Sequence, residues 1–176
     1  MFKIFRSYWG LRIAQWYFSN GKRQKAIGIL EQMIVANPTY HFGYLHLAKQ
    51  LAVIGEFEKS LGYLLQGVEL KKTNPVYQMT LGTVFYDMGD FVRAEEAFHS
   101  ALKLDSSNNL THNFIALCRL ATGDLLGFQK ILKEKGIFES SEVHIRLLLA
   151  LERHRHTSRT RQKQENHELE NQKLTE

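Results

Sequence analysis

Glycine stands at Gly21, Gly55, Gly89 and Gly123, four positions spaced 34 residues apart. With glycine near 7% of an average chain, such a register arises by chance at only about two in a thousand over all starting points. Other rows keep the same interval. Ile13-Ala14, Leu47-Ala48, Leu81-Gly82, Ile115-Ala116 and Leu149-Ala150 form one; Tyr17, Leu51 and Phe85 form another. Ala26, Ser60 and Ala94 make a third, and Leu30, Leu64, Phe98 and Leu132 a fourth. A period of this length describes a supersecondary unit that buries its apolar face only against copies of itself.

Each row has a physical task, seen best from Pro75 to Asn108. Met79, Leu81, Phe85 and Met88 carry the spacing of an amphipathic helix. Gly89 supplies the positive φ that ends it, and Asp90 can start the next helix. Ala94, Ala97, Phe98, Ala101 and Leu104 then repeat the helical spacing. Gly82 and Ala94 are small where two helices cross, so the axes can approach within about 8–10 Å.

These residues resemble the tetratricopeptide repeat (TPR), most closely in Leu81-Gly82, Phe85, Gly89-Asp90-Phe91, Ala94, Phe98 and Ala101. The resemblance implies an all-α, right-handed solenoid of about four helix–turn–helix units, at 7–40, 41–74, 75–108 and 109–140. A capping helix is expected over 141–156 and a polar, disordered tail over 157–176. In unit four Arg119 replaces the large apolar residue and Phe128 the small one. The family's proline occurs at Pro38 but is Lys72 and Ser106 in the next two units, which predicts less sharply set helix ends there.

Composition narrows the function. The 176 residues are 44% hydrophobic with two prolines, which excludes a wholly disordered chain. Cys118 is the single cysteine, so neither a disulfide framework nor a multi-thiolate zinc site can form within the chain. Phosphate loops, His-Glu-x-x-His and nucleophile elbows are absent, and the histidines are scattered. A non-catalytic protein without cofactor or metal is expected.

The net charge of +5 is concentrated at the two ends. Residues 1–40 hold six basic residues against Glu31 alone, whereas 41–108 are mildly acidic. The first helix therefore reads as basic and aromatic, with Phe2, Phe5, Tyr8, Trp9 and Trp16 beside Lys3, Arg6 and Arg12. Such a run suits either packing on unit one or an anionic membrane surface. Because Leu11, Ile13-Ala14 and Tyr17 keep the repeat register, removing this segment as a presequence would destroy half a repeat. A cytoplasmic location is expected, with the membrane surface as alternative. The basic run from Arg153 to Lys163 raises RNA binding as a weaker reading.

The resemblance further implies a concave groove lined by the first helix of each unit. Unit one contributes Tyr8, Leu11, Arg12, Gln15 and Phe18; unit two contributes Phe42, Leu45, His46, Lys49 and Val53. Unit three adds Val76, Met79, Thr80, Thr83, Tyr86 and Asp87, and unit four Leu110, Asn113, Phe114 and Leu117. One subclass of the family clamps a C-terminal carboxylate with Lys, Asn and Arg. Leu11, Gln15, His46, Val76 and Thr80 occupy those places here, which disfavours such a ligand. The expected partner is another protein, presenting an amphipathic helix or an extended apolar peptide to an adaptor or assembly factor.

Overall fold

A computed structural model describes residues 2–135, with side chains from Tyr8 onward. The expected cap helix, the tail and the basic run from Arg153 lie outside the described residues. Eight helices occupy the described chain in order: α1 (Phe2–Ser19), α2 (Arg23–Ala36), α3 (His41–Val53), α4 (Phe57–Leu70), α5 (Pro75–Asp87), α6 (Phe91–Leu104), α7 (Asn109–Thr122) and α8 (Leu125–Lys135). They pair as four hairpins. The chain divides into two compact units, Met1–Ser107 and Asn108–Glu176.

Each hairpin turns on the periodic glycine. Gly21, Gly55, Gly89 and Gly123 lie at φ between 72° and 85°, the left-handed region that a Cβ disfavours. Two backbone bonds close each turn. At the third, the Gly89 N–H donates to the Tyr86 carbonyl at 3.0 Å and the Asp90 N–H to the Phe85 carbonyl at 2.9 Å. The same pair recurs at the others, with Tyr17, Leu51 and Arg119 offering the carbonyl that Phe85 offers here. Asp90 also caps α6, accepting from the Arg93 N–H at 3.0 Å.

The second helices end alike whether or not proline is present. Asn37, Lys71 and Asp105 cap α2, α4 and α6 at nearly identical backbone angles. The expectation of looser ends at Lys72 and Ser106 is therefore wrong. The following helix sets the boundary instead: Asn74 accepts from the Val76 N–H ahead of Pro75, and Asn108 from the Thr111 N–H.

Within Met1–Ser107 the core runs as two linked clusters. The first joins Ala14, Ala26, Leu30, Met33, Leu47 and Leu51; the second joins Leu45, Ala48, Leu64, Tyr77, Leu81, Val84 and Ala97. Ser60, fully buried, donates its hydroxyl to the Ala48 carbonyl at 2.8 Å and so ties α3 to α4.

The two interfaces between hairpins fit in opposite senses. At the first, Met33 is the bulky partner, and a Cβ on Gly43 would stand 3.1 Å from its methyl. At the second the sizes are exchanged: the Tyr77 ring fills the space over Gly67, where a Cβ would clash with it. The Tyr77 hydroxyl donates to the His41 carbonyl at 2.6 Å. Its single proton being engaged there, the 3.1 Å contact with His41 Nδ1 has the imidazole as donor. Burial pushes the Tyr77 phenol up to about 12.

Two glycines separate packing from propensity. A Cβ on Gly82 would stand 2.5 Å from the Phe98 ring, whereas one on Gly62 would meet nothing. Gly82→Ala should lower stability by about 1–3 kcal/mol through overpacking. Gly62→Ala should raise it by roughly 0.5–1 kcal/mol through helix propensity. Urea unfolding of both variants measures the opposite signs.

Candidate partner-binding surface

Successive first helices touch, α1 with α3 and α3 with α5, while the second helices α2, α4 and α6 do not touch one another. Met1–Ser107 therefore bends with its first helices on the inside. Equivalent positions on those helices fall in rows along the inner face: Tyr8 and Phe42; Arg12 and His46; Gln15, Lys49 and Thr83; Phe18 and Tyr86.

Exposure sorts the expected groove residues. Tyr8, Arg12, Gln15, Phe42 and Lys49 are exposed; Leu11, Phe18, His46, Met79, Thr83 and Tyr86 are half-buried. Leu45, Asn113 and Phe114, each at most 4% exposed, are corrections, since they offer a partner no surface. Leu45 points into the second core cluster with Leu64, Tyr77 and Leu81, because this helical position faces the next hairpin. Asn113 and Phe114 lie on α7, which is buried around most of its circumference from Thr111 to Leu120. Thr80 and Leu117 are likewise buried.

The inner face is aromatic with sparse cations. Phe42 packs on the His41 ring at 4.1 Å, and Tyr86 meets the Phe91 ring edge-on at 5.2 Å. The Arg23 guanidinium lies 5.8 Å over the Phe18 ring. Thr80 and Thr83 donate their hydroxyls to carbonyls of their own helix, Val76 and Thr80, both at 2.8 Å. Burial, reinforced by Lys49, holds the His46 imidazole below its ordinary value of 6.5. At neutral pH His46 is accordingly uncharged and cannot act as the cation of a carboxylate clamp.

The opposite, outer side holds a cleft of about 520 Å³ where α2 and α4 splay apart. Gly28, Glu31, Lys59, Gly62, Tyr63 and Gln66 are among the residues that line it. The sequence reading missed this cleft, although two helical glycines 34 residues apart were its visible sign. It also missed the His41–Tyr77 latch, which pairs residues 36 positions apart. Among the described residues no group of three potential metal ligands comes together. No helix there is long and apolar enough to cross a membrane. Cys118 is buried.

No protein-family model matches the sequence, and no curated protein matches it. Solved structures do resemble it. "MamA 41-end from Desulfovibrio magneticus RS-1" is 16% identical with a TM-score of 0.63, over 74% of this chain and 76% of that one. "MamA MSR-1 C2" is 21% identical with a TM-score of 0.59, over 70% and 74%. "First TPR of Spaghetti (RPAP3) bound to HSP90 peptide" is 16% identical with a TM-score of 0.62, over 67% and 94%. The chain thus has the fold of a tetratricopeptide-repeat protein, an all-α helical-repeat solenoid.

His41 and His46 set a pH dependence. Both imidazoles are held below 6.5 in the folded chain, chiefly by burial, so the unfolded chain binds protons first on acidification. Their contribution to stability is complete above pH 6.5 and declines as the pH falls through 6.5 toward the folded values. Urea midpoints measured from neutral to mildly acid pH should fall, and less steeply in His46→Gln.

Proposed function

We propose that the chain is a non-catalytic adaptor or assembly factor that captures a segment of a partner protein on the inner face of α1, α3 and α5. The observation that carries this is the row of side chains that the hairpin core leaves open: Tyr8, Arg12, Gln15, Phe42 and Lys49 on a bent, preformed surface. Phe42 and Tyr86 are aromatic anchors of the kind that dominate peptide capture, and the rigid helices reduce the ordering cost of binding.

The RPAP3 domain of the same fold holds an HSP90 peptide, which supports peptide capture as a use of this architecture. The chemistry here favours a different segment. Gln15, the neutral His46 and the back-bonded Thr80 provide no cationic clamp for a terminal carboxylate. An amphipathic helix or an extended apolar peptide fits the aromatic face better, with Arg12 and Lys49 selecting an acidic flank.

Capture from native lysate with wild type, Phe42→Glu/Tyr86→Glu and Val35→Glu tests the reading. Val35 is 80% exposed on α2 and serves as a surface control. A discrete protein retained at moderate salt by wild type and by Val35→Glu should fall at least about tenfold in the double variant, the loss of one to two anchors. Circular dichroism confirms that each variant keeps its helices. Equal capture by all three refutes the groove.

A further inference from the structure

α1 presents more apolar surface than the core uses. At about 100° per residue, its side chains divide into three sectors. Leu11, Ala14, Tyr17 and Phe18 pack on the first core cluster, Phe18 at the border with the inner face. Tyr8, Arg12 and Gln15 belong to the inner face. The third sector carries Trp9, Ile13 and Trp16, which are 53%, 44% and 56% exposed. On a helical wheel these three side chains fall within an arc of about 60°.

The surroundings of the stripe are cationic. Lys22 lies 5.9 Å over the Trp16 ring, and Lys25 lies 5.9 Å over Tyr17. Lys22, Arg23, Lys25 and Arg12 are all exposed, and no Asp or Glu precedes Glu31 in the sequence. We infer that the Trp9–Ile13–Trp16 face of α1 docks in the headgroup layer of an anionic membrane.

Charge decides between the occupants this face could have. A second copy related by twofold symmetry would press the same patch on itself, and the charged residues of that patch are all basic. The basic run from Arg153 to Lys163 of the same chain would meet like charge. An anionic lipid surface complements both features at once: Trp favours the boundary between headgroup and acyl chain, and Lys and Arg pair with phosphate. The face is distinct from the partner-binding surface, so one helix can hold the membrane while α3 and α5 hold a client.

The protein supplies its own probe, because Trp9 and Trp16 are its two tryptophans and both lie on the stripe. Full-length protein mixed with vesicles of phosphatidylcholine containing one-third phosphatidylglycerol should show a blue-shifted emission and reduced acrylamide quenching. Pure phosphatidylcholine should produce neither. In flotation, Ile13→Asp should lose binding, and Lys22→Glu/Lys25→Glu should weaken it at least about tenfold. Phe42→Glu/Tyr86→Glu should float as wild type does, which keeps this test separate from the groove. Unchanged emission with anionic vesicles overturns the inference. So does an equal response to both vesicle types, or a blue shift that grows with protein concentration without lipid, the mark of a second copy.

Discussion

Everything in the fold hangs on the reversal at the periodic glycine. The N–H that follows the glycine binds the carbonyl of Tyr17, Leu51, Phe85 or Arg119, five residues back. Side-chain position and backbone closure are thus fixed by one residue, and inserting a residue between them would break both. A positive φ at that site sends the chain back along the helix it has just left. α2, α4 and α6 consequently begin and end at matching places, and the small residues Ala26, Ser60 and Ala94 always arrive at the helix crossing.

The units are alike in backbone but not interchangeable. Met33 over Gly43 and Tyr77 over Gly67 place the bulky side chain on opposite partners at successive interfaces. A hairpin moved one place along would set small against small or large against large. The Tyr77 hydroxyl on the His41 carbonyl adds a polar register pin to the second interface, satisfied and largely buried. Order along the array is therefore encoded by complementarity at the joints, consistent with the nearest-neighbour energetics of repeat proteins.

Bending distributes function between the faces. First helices in contact make an inner surface where aromatic side chains stay partly open, and splayed second helices leave a cleft lined in part by Gly28 and Gly62. On α1, Trp9, Ile13 and Trp16 remain at least 44% exposed, while its inner sector continues the rows of α3 and α5.

The 34-residue register, the glycine turns and the helix positions were legible in the sequence because each rests on local backbone chemistry: a positive φ, a cap, a helical spacing. The repeat phase also assigned Phe42, His46 and Lys49 to inner rows, where Phe42 and Lys49 are exposed and His46 is half-buried. It could not tell Leu45 from Met79, equivalent residues of which one is buried against the next hairpin and the other half-exposed. Nor could it show that α7 is buried around Asn113 and Phe114, or that Tyr77 reaches His41. Those outcomes depend on which side chains from distant segments compete for the same volume. Periodicity assigns a residue to a face; only packing decides whether that face remains open to a partner.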